Sequence, residues 1–120
     1  MQISYTYLIV DKNPHLEEHA AQELKKIARF IHDENYPSTI DIIFNQEGHG
    51  THFYSVELKA RLPLTHIVVT HKDNDIYRAT TKAVDLLIDE MHKQKDRIIS
   101  KRKEGVGETE DRSNKKKFQQ

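Results

Sequence analysis

The residues of this chain whose type and spacing could do chemistry are its cations. Between residues 92 and 103, lysine or arginine stands at 93, 95, 97, 101, 102 and 103 against one acid, Asp96, a local charge of +5 on a chain whose formal total is zero. A second group, Lys25, Lys26 and Arg29, lies far away in sequence. Cations clustered in this way suit a phosphate backbone, whose charge they neutralise with release of counterions. Charge complementarity at a helix C-terminus accounts for two or three of them more easily than for six.

Histidine offers the other chemistry. His49 and His52 bracket a glycine-containing loop, and His15 and His19 stand four apart, so either pair could fill two sites of a metal sphere. Neither pair has a carboxylate at ligand spacing, and no metal site is assigned. With no cysteine there is no disulfide, thiolate zinc site or cysteine nucleophile, and a reducing compartment is compatible. No nucleophile elbow or phosphate-cradling glycine motif is present, so neither an enzymatic activity nor a cofactor is expected.

The elements that must position the cations follow from periodicity. From Lys72 to Lys103 the chain reads as one long amphipathic helix. At 100° per residue, Ile76, Thr80, Ala83, Val84, Leu87, Met91 and Ile98 fall within a stripe about 100° wide. Arg78, Lys82 and Lys93 lie on the far side, mixed with Asp85, Asp89 and Asp96. Asp73, Asn74 and Asp75 supply acceptors and negative charge for its first turn. An earlier helix begins at Asn13-Pro14, an N-cap followed by proline in the first helical position. Its apolar stripe is Leu16, Ala20, Leu24, Ile27 and Ile31, with Lys25, Arg29 and His32 opposite and Lys26 on the flank. The break Asn35-Tyr36-Pro37-Ser38 ends it.

Strands fill the rest. Ile3, Tyr5, Tyr7 and Ile9 alternate with Gln2, Ser4, Thr6 and Leu8, and Ile40, Ile42 and Phe44 alternate with Thr39, Asp41 and Ile43. Gly48 and Gly50 supply a hairpin connection to a third strand at about 52–62, with Tyr54, Val56, Leu58, Ala60 and Leu62 on its dry face. After Pro63 a fourth strand, about 65–71, runs into the long helix. The expected fold is α+β, in the order βαβββα, with two helices packed on one face of a four-stranded sheet. At 120 residues and 36% hydrophobic content there is room for one core. Residues 1–103 form the domain, and 104–120, polar and glycine-containing, form a flexible tail. The N-terminal apolar run is too short and too alternating for a signal peptide or membrane span, giving a soluble, cytoplasmic protein.

This order, with NPHLEEHAAQELKKIARF in the first helix and HKDNDIYRATTKAVDLLIDEMHKQKDR in the second, resembles the ribosome hibernation-promoting factor and ribosome-associated inhibitor (protein Y) family. Asp75-Ile76-Tyr77-Arg78-Ala79, Val84-Asp85 and Lys93-Gln94-Lys95-Asp96-Arg97 match the family's helical motif without a gap, while Thr80-Thr81 replaces its usual Ile-Asp. The resemblance implies a short-form translation inhibitor that acts in stress or stationary phase. It implies binding to the small ribosomal subunit, and to the whole idle ribosome, in the channel used by messenger and transfer RNA. The protein would be a monomer when free, with neither DNA nor a membrane as partner. Carried onto this chain, the rRNA-binding residues are Lys25, Lys26 and Arg29, then Arg78, Lys82, Lys93, Lys95, Arg97, Lys101 and Arg102. Tyr77, which matches the family tyrosine, borders the core and is read as packing before RNA stacking. Two competing readings are a stand-alone double-stranded-RNA-binding module, whose αβββα order is contained in this one, and a histidine-dependent metal-binding protein.

Overall fold

Period-two alternation produces four strands, β1 (Gln2–Leu8), β2 (Thr39–Glu47), β3 (Phe53–Arg61) and β4 (His66–Asp73). In the computed structural model, which describes residues 1–30, 37–48 and 53–107 (the side chains of Phe30 and residues 95–107 excepted), they form one mixed sheet in the order β1-β2-β3-β4. β1 runs parallel to β2, while β2, β3 and β4 are antiparallel neighbours. Parallel pairing needs a crossover, supplied by the helical segment between β1 and β2.

Register places Tyr5, Ile42, Leu58 and Val69 in one row across the sheet, with Ile3, Ile40, Ala60 and Ile67 in the next. The β2, β3 and β4 members of both rows are buried, and those on β1, an edge strand, are half-buried. Phe44 stacks between Tyr5 and Tyr7, with ring centroids 6.4 and 5.2 Å away. The opposite face carries Asp41, Lys59, Arg61, Val68 and Lys72 and is wet.

Helices cover the dry face. The first helical segment is α1 (Pro14–Leu24) and α2 (Lys26–Phe30), and the long helix is α3 (Ile76–Gly107). Leu16, Ala20, Leu24 and Ile27 are buried, as are Ala79, Thr80, Ala83, Val84, Leu87 and Ile88. Each large member of these stripes contributes about 1.5–3 kcal/mol by leaving water. Thr80 is accommodated because its hydroxyl donates to the Ile76 carbonyl, 2.8 Å away. Met1–Glu90 forms one unit holding the sheet, α1, α2 and the start of α3; Met91–Gln120 is a second and contains the rest of α3.

Three expectations need correction. The first helix is interrupted at Lys25, whose N–H is shared between the Ala21 and Gln22 carbonyls and whose own carbonyl accepts from Ala28. Lys25 keeps right-handed helical dihedrals, φ −62° and ψ −21°, so the apolar stripe passes through the break. Ile9 does not extend the buried row of β1. It lies beyond the strand, 82% exposed, with φ at +58°, because the chain must turn there towards α1. The long helix starts at Ile76 rather than Lys72, since Lys72 and Asp73 still pair with β3. It carries on to Gly107, and 108–120 lie outside the described residues.

Candidate nucleic-acid interface

The seam between α1 and the first turns of α3 is built by two caps. Asn13 Oδ1 accepts from the N–H groups of His15 and Leu16 at 3.0 and 3.3 Å, and Pro14 occupies the first helical position. Tyr7 donates to Glu17 Oε2 at 2.7 Å, tying the first turn of α1 to β1. Burial and that bond push the Tyr7 hydroxyl up to about 12. At the start of α3, Asp75 Oδ1 accepts from the N–H groups of Tyr77 and Arg78.

Across the seam, His19 Nε2 lies 3.1 Å from both the Tyr77 carbonyl and Thr81 Oγ1. A carbonyl can only accept, so Nε2 carries a proton and donates. The His19 and Tyr77 rings meet edge to face at 5.2 Å, and Asn13 Nδ2 donates to the Tyr77 hydroxyl at 3.3 Å. Further along, Lys26 lies 2.6 Å from Glu23 and 3.5 Å from Asp85 on α3. The Glu23 bond, with Asp85 adding to it, holds the Lys26 ammonium above its ordinary range despite partial burial.

The cations expected to bind phosphate are thereby divided. Lys25, Arg29, Lys82 and Lys93 are exposed, while Lys26 is half-buried between two carboxylates. Arg78 is 52% exposed but committed: its Nε and one terminal nitrogen each lie 2.9 Å from an Asp73 oxygen, and the latter lies 2.6 Å from Asn74 Oδ1. The guanidinium holds the Asp73 carboxyl down at about 2. Lys95, Arg97, Lys101 and Arg102 belong to α3 by their backbone, and their side chains lie outside the described residues.

Tyr77, read from the sequence as packing, keeps 36% of its surface in water and has its hydroxyl engaged by Asn13. His19 was legible only as half of a possible metal pair; its work here is to bridge α1 to α3. Among the described residues, no three histidine, aspartate or glutamate side chains gather as a metal site, and His49 and His52 lie outside those residues.

Residues 3–99 match the family described as sigma 54 modulation protein / S30EA ribosomal protein. The chain belongs to that family. Among solved structures, this S30EA family chain is similar to a ribosomal subunit interface protein from Coxiella burnetii, at 27% identity and a TM-score of 0.70, covering 80% of this chain and 99% of that one. It also shares its fold with the N-terminal domain of Thermus thermophilus protein Y, at 18% identity and a TM-score of 0.63, over 76% of this chain and 96% of that domain. No curated protein matches in sequence. Among the described residues, no helix of this family member is long and apolar enough to cross a membrane.

Proposed function

We propose that this protein is a ribosome hibernation factor that occupies the messenger and transfer RNA channel of the small subunit on idle ribosomes and so blocks translation. The observation that carries the reading is family membership over residues 3–99. The 27% identical Coxiella burnetii relative, a ribosomal subunit interface protein, supports it along nearly its full length. No catalytic group is required. Cations on two helices contact rRNA phosphates and fix position by charge and shape rather than by base sequence. Lys25, Arg29 and Lys82, exposed and with no acidic side chain bound among the described residues, are the leading contacts; Lys93, Lys95, Arg97, Lys101 and Arg102 extend the cationic run along α3. Residues 1–103 do the binding, and the remainder to residue 120 acts as a tail. The protein works as a monomer in the cytoplasm.

Cosedimentation with vacant ribosomes and separated subunits, at low and moderate salt and with an RNA duplex as competitor, tests the reading. Binding that tracks the small subunit or whole ribosome and resists the duplex is expected. Changing Lys93, Lys95 and Arg97 together to alanine lowers the affinity and flattens its salt dependence, each lost phosphate contact removing roughly 0.7–0.9 from the log–log slope. Ready loss to the duplex would instead favour a general double-stranded-RNA module.

A further inference from the structure

Beside the seam lies a cavity of about 410 Å³, bounded by the link from β1 to α1, the end of β2, the start of β3 and the start of α3. We infer that it takes one unpaired RNA nucleobase bearing an exocyclic amine, with the adjoining phosphate on Lys12. The inference rests on the ribosome-binding reading and adds base recognition to what is otherwise a phosphate-reading surface.

Three features carry it. Apolar side chains are available for the faces of a base: Ile9, Val10, Tyr54 and Ile76 line the cavity alongside its polar groups, and its size is that of a small-ligand site. Ile9 is a β-branched residue held in the left-handed region, a conformation that costs free energy, and it leaves an apolar side chain almost wholly in water. The larger part of the wall is polar, and two of its groups suit a nucleotide. Asp11 offers only acceptors, which match an amine edge such as cytosine N4, and Lys12 offers the cation for phosphate.

The cavity also meets the seam between α1 and α3. Asn13 lines it, and the Asn13 amide is oriented by its capping role: Oδ1 takes the His15 and Leu16 N–H groups, so Nδ2 is the atom that donates to the Tyr77 hydroxyl. Tyr77 therefore accepts from within the protein and keeps its own O–H to donate, and among the described residues no acceptor takes it. A ribose or phosphate oxygen of a nucleotide entering from the seam can do so.

The test is titration of the ¹⁵N-labelled full chain with cytidine monophosphate, uridine monophosphate and ribose 5-phosphate, following amide shifts, with ribosome cosedimentation run in parallel. Cytidine monophosphate shifts Ile9, Val10, Asp11, Lys12 and Ile76, ribose 5-phosphate does not, and the uridine nucleotide binds at least about fivefold more weakly. Asp11→Asn, at an exposed position, brings the two nucleotides within about twofold of each other, and Lys12→Ala weakens both at least about fivefold. Retained ribosome binding without a nucleotide-induced shift in this loop would remove the base site and leave the ribosome reading standing. Loop shifts without ribosome binding would do the reverse, and equal affinity for the two nucleotides in the unaltered chain would overturn the role given to Asp11.

Discussion

The junction of β4 with α3 and the outer flank of α1 and α2 both display arginine on an exposed helical surface, and they use it differently. At the junction, Arg78 is forked onto Asp73 and reaches Asn74 as well. On the flank, Lys25 and Arg29 are exposed, and among the described residues no acidic side chain pairs with them. A charge-assisted, two-point pair fixes the chain where a strand turns directly into a helix, whereas an unpaired cation is available for a ligand's phosphate. Positive charge on a surface is thus a poor guide to binding until its internal partners are known.

The sharpest way to break the contrast is to remove what supports both regions. Leu87→Ala, at a fully buried position on α3, should cost about 2–5 kcal/mol in chemical denaturation. Loss of ribosome binding in that variant would follow from unfolding, and an unmoved midpoint would show that the helix faces are wrongly assigned.

Changing Lys25, Arg29 and Lys82 together to alanine separates the regions. Stability should stay within about 0.5 kcal/mol of the parent, while the salt slope of ribosome binding falls by roughly 2–3. An unaltered slope would mean that these cations do not touch phosphate.

Arg78→Ala should do the opposite with a smaller effect, lowering stability slightly and leaving the salt slope alone. Its signature is in acid. The Asp73 carboxyl falls from an ordinary 3.8 to about 2 in the folded protein, so the pair contributes fully above about pH 4 and is lost as pH falls towards 2. Without Arg78 that acid limb of the stability curve flattens, as denaturation at a series of pH values would show. A slope reduced by about 1 with stability unmoved would instead make Arg78 a phosphate contact and dissolve the comparison.

Much of the scaffold was legible because periodicity reports which side of an element is dry. Ile40, Ile42 and Phe44 in β2, and Ala83, Val84 and Leu87 in α3, are buried as their spacing requires. What escaped depends on neighbours distant in sequence or on local backbone geometry. The alternation that ends at Ile9 looks like continued strand, yet only the turn towards α1 decides where pairing stops. Lys25 and Lys26 are adjacent and chemically alike, but only Lys26 meets Asp85, a residue on another helix. Asp73 reads equally well as a helix cap or a salt-bridge partner, and it is the end of β4 that places it under Arg78. The role of His19 could not be read without knowing that α1 and α3 lie side by side.

The parallel pairing of β1 with β2 also sets an order of assembly. β2, β3 and β4 meet their neighbours across short connections, whereas Gln2 must wait for Thr39, beyond the whole first helical segment. Closing that longer loop costs more entropy before any contact repays it, so β1 is expected to be the last strand to zip into the sheet. Until then its tyrosines have no Phe44 to stack on. Backbone amides of β1 that exchange with solvent faster than those of β3 would be the lasting trace of that late arrival.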